Sequence, residues 1–265
     1  MPDLSQIIYR ILGYLKYLWK AKGLHGIHSP FAFNLLNLTI RTDGEFYVFD
    51  KLERHRERLL RNQESIDIID FGAGSSISNN RQRKIADIAR YSLQSKKYSW
   101  LLFRLTNHFQ PKNMLELGTS LGLTSLYQIH PVSGGKMITL EGSPSIAKIA
   151  TETFMKFRQA NIEIITGNFD DTLADAIKKL KRLDYVYFDG NHRLEPTMRY
   201  FNQCLEHTHE DTFFIFDDIH WSKEMEQAWY EIKKDARVTI TIDLFKIGIV
   251  FFRKGQVKQD FILRF

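Results

Sequence analysis

The chain has 265 residues, 37 Lys and Arg against 31 Asp and Glu, and one cysteine, Cys204. That length gives one large domain or a domain with an extension. One cysteine excludes an internal disulfide and suits a reducing compartment, and no apolar run is long enough to span a bilayer. The positive surplus lies in residues 1–110, which hold 17 Lys and Arg against 10 Asp and Glu. It is too mild to imply a nucleic-acid partner. Asp3, Arg10 and Lys16 interrupt the first apolar residues, so this stretch does not read as a signal peptide, and a cytoplasmic location is expected.

In chain order, Ile7 to Lys22 carries Ile7, Ile8, Ile11, Leu12, Leu15, Leu18 and Trp19 at helical spacing. The simplest reading packs this stripe on its own domain or on a second subunit, which would make a homodimer. Its basic and aromatic residues also suit a membrane surface, a reading given less weight. His25-Gly-Ile-His-Ser-Pro reads as a loop, with Ser29 capping a helix over Phe31–Leu38 and Pro30 in its first turn. Asp50–Gln63 is predicted as a charged helix whose arginines face solvent. Ile66–Ser76 contains Asp70-Phe-Gly-Ala-Gly, a glycine stretch with no apolar strand and acid at the right distance behind it. It reads as an extended segment and loop before a helix over Lys84–Leu93. Ser99–Phe109 is a further helix.

From Asn113 onward the pattern alternates. Strands are expected near 113–117, 136–141, 161–166, 183–189 and 211–217, with helices near 122–130, 144–159, 171–181, 193–206 and 222–234. Arg237–Ile242 and Phe245–Arg253 read as a terminal hairpin. This predicts an α/β fold, a doubly wound, Rossmann-like and mostly parallel sheet. The expected division is a mainly helical extension over 1–94 and the sheet domain over 95–265. Cys204 reads as a small core residue.

The centre of the pattern is Met114–Leu117, an apolar strand, followed by a turn with Gly118 and Gly122 and then a helical stripe. A strand, glycine turn and helix allow close backbone approach and free N–H groups for a ligand, although a tight turn alone would look the same. The next strand ends in Glu141, at the distance where an acid can hold two ribose hydroxyls. Further acids follow at the later strand ends: Asp170, Asp189, and the pair Asp217-Asp218. Ligands of open α/β sheets bind outside the carboxyl ends of the strands, and gathered carboxylates there repel unless a cation or a hydroxyl-rich ligand offsets them. Oxygen ligands on neighbouring strand ends suit a hard cation such as magnesium. Asp170 or Asp171 could equally cap the helix that follows, and Trp221 could wall an acceptor site or fill the core.

Glu116-Leu-Gly-Thr-Ser-Leu-Gly122 resembles the first motif of class I S-adenosylmethionine-dependent methyltransferases, with its acid before the first glycine. The resemblance covers about Ser95 to Lys254. It implies S-adenosylmethionine as cofactor, contacted around Glu116, Gly118, Thr119, Ser120, Gly122 and Thr124, with Glu141 on the ribose. It places Asn168, Phe169 and Asp170 at the adenine edge and Asp189 at the methionine end. Asp189, Asp217 and Asp218 are similar to the magnesium ligands of catechol-type O-methyltransferases, with Asp-Asp where those have Asp-Asn, as in bacterial sugar O-methyltransferases. His192, three residues after Asp189, stands where those enzymes carry the base. The expected activity is magnesium-dependent O-methylation of a small phenol, catechol or sugar. The alternatives are a metal-independent N-, C- or O-methyltransferase and a non-catalytic cofactor-binding or membrane-surface protein.

Overall fold

The structure is a computed structural model that describes residues 4–23, 26–42, 44–69 and 82–265. The Asp70–Ser76 glycine stretch and His25 lie outside the described residues. The chain opens with α1 (Leu4–Lys20), then α2 (Pro30–Leu35), which continues as a π-helical turn over Leu36–Ile40, and α3 (Tyr47–Arg61). Ser29 caps α2 by accepting from the Ala32 N–H, with Pro30 at the first helical position. Two short strands, β1 (Ser65–Asp67) and β2 (Gln82–Lys84), pair antiparallel before α4 (Ile85–Ser92) and α5 (Lys96–Phe109).

The main sheet then forms from β3 (Asn113–Leu117), β4 (Lys136–Glu141), β5 (Ile162–Thr166), β6 (Tyr185–Phe188), β7 (Phe213–Phe216), β8 (Ile240–Asp243), β9 (Gly248–Phe251) and β10 (Gln259–Ile262). Its order is β10-β8-β9-β7-β6-β3-β4-β5. Between the strands run α6 (Leu123–Ile129), α7 (Pro144–Lys156), α8 (Phe169–Leu180), α9 (Leu194–Leu205) and α10 (Lys223–Lys234). The strands β3 to β7 are parallel, and β9 inserts antiparallel between β7 and β8. The terminal hairpin is therefore present. A further strand, β10, pairs parallel with β8 at the edge. The sequence reading did not contain it, because Gln259-Asp-Phe-Ile has no apolar run, and its place is set by pairing with β8 and by Phe261 packing on the core.

Both sheet faces are covered, so the central strands β6 and β7 are apolar at every position. Tyr185, Tyr187, Phe213 and Ile215 enter one core; Val186, Phe188, Phe214 and Phe216 enter the other. Alternate side chains of a strand point to opposite faces, which is why Tyr185–Phe188 and Phe213–Phe216 can be wholly buried. The first core also takes in Ile27, Ala32, Leu35, Leu36 and Ile40. The N-terminal helices thus share the core of the sheet. Cys204 is buried in the second core, as expected.

Two smaller expectations fail. Arg56 of α3 does not face solvent: its guanidinium donates to Gln94 O at 2.7 Å and Ser99 Oγ at 3.1 Å. Helix α8 is capped by Asn168, whose side chain accepts from the Asp170 N–H, so neither Asp170 nor Asp171 is the cap.

Candidate active site

The sheet reverses its winding at β3, with β4 on one side and β6 on the other. That is where a crevice opens beyond the strand ends. Gly118 follows β3 with φ +107, and a Cβ there would lie 2.2 Å from the Asp189 carbonyl oxygen. The two neighbouring turns touch, and only glycine permits it. Ser120 continues the turn in the left-handed region, and Gly122 opens α6 with φ +78.

Glu141 ends β4 and reaches back across this turn. One of its oxygens accepts the Ser120 N–H at 2.9 Å and the other the Ser143 N–H at 2.9 Å. The carboxylate is thereby fixed at the strand end. Glu116 is wholly buried and points the other way, toward α6. It accepts from Ser125, Gln128 and Thr139. Thr139 spends its proton on Glu116, so the Thr119 hydroxyl, 2.6 Å away, donates to Thr139. Glu116 therefore holds the glycine turn from beneath. Burial pushes its carboxyl up to about 7 against the pull of its three donors. Thr124 is buried in the first turn of α6.

Asn168 and Phe169 open α8 beside this turn, and the Phe169 ring would meet a Cβ on Gly190 at 2.6 Å. The Asp170 carboxylate turns to Arg199, accepting at 2.7 and 3.1 Å.

On the other side of β3 the acids converge. Asp189 follows β6, and Asp217 and Asp218 follow β7. Asp217 is buried, and Asp218 holds φ +53, a conformation that Asp tolerates better than most residues. Burial and the neighbouring Asp217 raise the Asp189 carboxyl well above the usual carboxylate range, and the same two causes raise Asp218. His192 Nε2 lies 3.7 Å from Asp189 Oδ1. Between them Asn191 has φ +55, and its buried Oδ1 accepts no hydrogen bond.

Two residues absent from the sequence reading complete this half. Lys246 places its ammonium 3.6 Å from Asp217 and 3.9 Å from Asp218. Gln94 is buried and bridges the groups. Its Nε2 donates to Asp217 at 2.8 Å and to the Tyr187 hydroxyl at 3.0 Å, and its Oε1 accepts from Lys246 at 2.7 Å. Burial would lower the Lys246 pKa, but the three acids outweigh it and raise it. Lys246 stands at the acidic edge because β9 runs antiparallel: Gly248, its first residue, pairs with Phe216 and Asp243. A parallel strand would have carried this lysine to the far edge.

Trp221 is half exposed, with the Arg10 guanidinium 3.9 Å over its ring, so core packing is not its role. His220 bridges Asp243 at 2.8 Å and Glu226 at 3.1 Å. These acids outweigh burial and raise its pKa.

The comparisons with known proteins agree with this fold. Residues 115–219 match a family model described as a methyltransferase domain. The fold is the α/β, Rossmann-like fold of known methyltransferase structures. Among curated proteins none matches the sequence. Solved structures do match in fold. An O-methyltransferase from Bacillus cereus in complex with SAH is 16% identical with TM-score 0.57, over 82% of this chain and 94% of that one. The O-methyltransferase TomG from Streptomyces achromogenes, involved in tomaymycin synthesis and bound to SAM, is 16% identical with TM-score 0.56, over 84% and 95%. A SAH-bound methyltransferase from Podospora anserina is 14% identical with TM-score 0.54, over 80% and 99%.

Proposed function

We propose that the protein is an S-adenosylmethionine-dependent O-methyltransferase acting on a hydroxyl of a small molecule, of the phenol, catechol or sugar class. The observation that carries this reading is the juxtaposition of two half-sites across one close contact. The fixed Glu141 carboxylate and the Gly118 turn lie on one side, and Asp189, His192 and the Asp217-Asp218 pair lie on the other. The residues fit the cofactor: a carboxylate at the strand end, locked by two N–H groups, suits a ribose diol.

When bound, S-adenosylmethionine supplies a methyl group already activated on a sulfonium, so the protein's task is largely positioning. Glu141 holds the ribose, while Gly118, Thr119, Ser120 and Gly122 admit the methionine end. Glu116 keeps that turn rigid through Thr139. Asn168, Phe169 and Asp170 border the adenine edge, Asp170 with its carboxylate pinned by Arg199. His192 takes the proton from the acceptor hydroxyl, and Asp189 beside it steadies the imidazolium that results.

The magnesium that the resemblance implies does not fit the site as it is arranged. A cation already stands among the proposed ligands, the Lys246 ammonium, bound also to Gln94. Among the described residues no group of three or more His, Cys, Asp or Glu is arranged to hold a metal. Lys246 takes the part of the cation for Asp217 and Asp218, and no step above uses a metal. One observation favours the second reading, a magnesium-dependent enzyme: three carboxylates against one ammonium leave an excess of negative charge. Asp189, Asp217 and Asp218 would then hold the ion, with Lys246 withdrawn. Methyl transfer to a panel of phenols, catechols and sugars, measured with EDTA and with added magnesium, separates the two. Turnover unchanged by the chelator supports the Lys246 reading. Turnover abolished by EDTA and restored by magnesium supports the second reading.

A further inference from the structure

Helix α1 has two faces with different fates. On the inner face, Tyr17 is buried and donates its hydroxyl to Leu263 O at 2.5 Å. Tyr14 packs edge-on to Phe245, with centroids 4.9 Å apart, and Arg10 lies over Trp221. These contacts fix α1 beside the acidic strand ends, since Phe245 precedes Lys246 and Trp221 follows the Asp217-Asp218 pair.

Among the described residues, nothing packs on the outer face. Leu4, Ile8, Ile11, Leu12, Leu15 and Trp19 recur at helical spacing and are all exposed, Leu12 at 60% and Trp19 at 85%. A contiguous apolar stripe of this size on a soluble chain marks an interaction surface. Its charge surroundings are one-sided. From residue 4 to residue 41 the chain carries Arg10, Lys16, Lys20, Lys22 and Arg41 and not one Asp or Glu.

That composition decides between two kinds of partner. A two-fold contact through α1 is self-complementary, so Lys16 and Lys20 of each copy would find no acid in the α1 of the other. An anionic bilayer meets both features: the stripe enters the headgroup boundary and the lysines face phosphate and carboxylate groups. An exposed Trp at the end of such a stripe suits that boundary. No described helix is long and apolar enough to cross a membrane, so α1 lies in the surface plane.

We infer that α1 docks the protein on anionic membrane surfaces through the Leu4–Trp19 stripe and its flanking lysines. If the proposed methyl transfer also holds, docking brings the acidic strand ends beside α1 close to the bilayer, and the acceptor is an amphiphile held there. The docking itself rests on α1 alone.

The test is flotation of the full chain with phosphatidylcholine vesicles, with and without phosphatidylserine, beside sedimentation analysis of its oligomeric state. The expected result is a monomer that floats with the anionic vesicles and is released by salt. Replacing Ile8, Leu12 and Leu15 by Ser should weaken partition by about tenfold or more, and Lys16→Gln with Lys20→Gln by about tenfold. All five side chains are exposed, and circular dichroism checks that the variants fold. Docking is overturned by a wild-type chain that stays with the aqueous phase. It is equally overturned by a stable dimer that the triple substitution breaks without vesicle binding, or by vesicle binding that neither set of substitutions changes. Flotation without S-adenosylhomocysteine binding would uphold docking while removing the methyl-transfer reading.

Discussion

The two halves of the strand-end crevice are built by different means. On the β4 side, the acid is held by backbone N–H groups of its own neighbourhood: Glu141 binds Ser120 and Ser143, within or just after the turns that face it. On the β7 side, the acids are held by side chains from distant parts of the chain, Gln94 before α5 and Lys246 before β9. The first half is a local device, set by a strand, a glycine turn and a short crossover. The second exists only when α5, β7 and the reversed β9 are all in place. Under the proposed function, the local half would hold the cofactor and the long-range half the acceptor.

The comparison is most severely tested where the halves touch. Gly118→Ala puts a Cβ against the Asp189 carbonyl and strains a positive φ. It should cost about 3 kcal/mol or more in urea unfolding and abolish cofactor binding in calorimetry. Retained binding at normal stability would separate the halves.

Glu116 tests the local half through pH. Burial raises its pKa from the ordinary 4.5 to about 7, so the folded state holds the proton more tightly than the unfolded chain. The stability it contributes is complete below pH 4.5 and is lost as pH rises through 7. The change amounts to at most about 3 kcal/mol. Glu116→Gln should flatten the stability profile between those values, as read by chemical unfolding at several pH values. An unchanged slope would show that burial of this carboxyl is not the cause.

The long-range half is probed by Lys246→Met, which leaves Asp217 with Gln94 alone against two neighbouring acids. A loss of about 2 kcal/mol is expected. The vacated cluster should also take up magnesium, giving a calorimetric heat that the wild type lacks. The smallest effect is expected for Glu141→Gln. One oxygen of the fixed carboxylate is lost and one backbone N–H is left facing an amide, so S-adenosylhomocysteine should bind about tenfold more weakly with stability nearly unchanged.

The same division governs what was legible in the sequence. The strands β3 to β7 and their helices could be read because fully apolar runs and 3.6-residue stripes are local signals. So could the turn at Gly118 and Gly122, and Glu141 behind it. The acids Asp189, Asp217 and Asp218 could be placed at one edge because the topology of a parallel sheet does so. Lys246 could not, since its arrival at that edge depends on the antiparallel register of β9 with β7. Gln94, at the expected boundary between extension and sheet domain, carried no motif. Its importance lies in the three polar partners its side chain meets from other elements, Tyr187, Asp217 and Lys246. Asp170 was read by position, but Arg199, on the next helix, takes its carboxylate. The outward stripe of α1 was visible as periodicity, whereas its exposure among the described residues became visible only in the fold.

The central claim is that the Gly118 turn and Glu141 form a nucleoside cofactor site beside an acid cluster balanced by Lys246. Calorimetric titration of the wild-type chain with S-adenosylhomocysteine in the presence of EDTA tests it most directly. A saturable one-to-one heat, unchanged when magnesium replaces the chelator, is the predicted result. No binding in either buffer would contradict the cofactor site, and binding that requires magnesium would contradict the role given to Lys246.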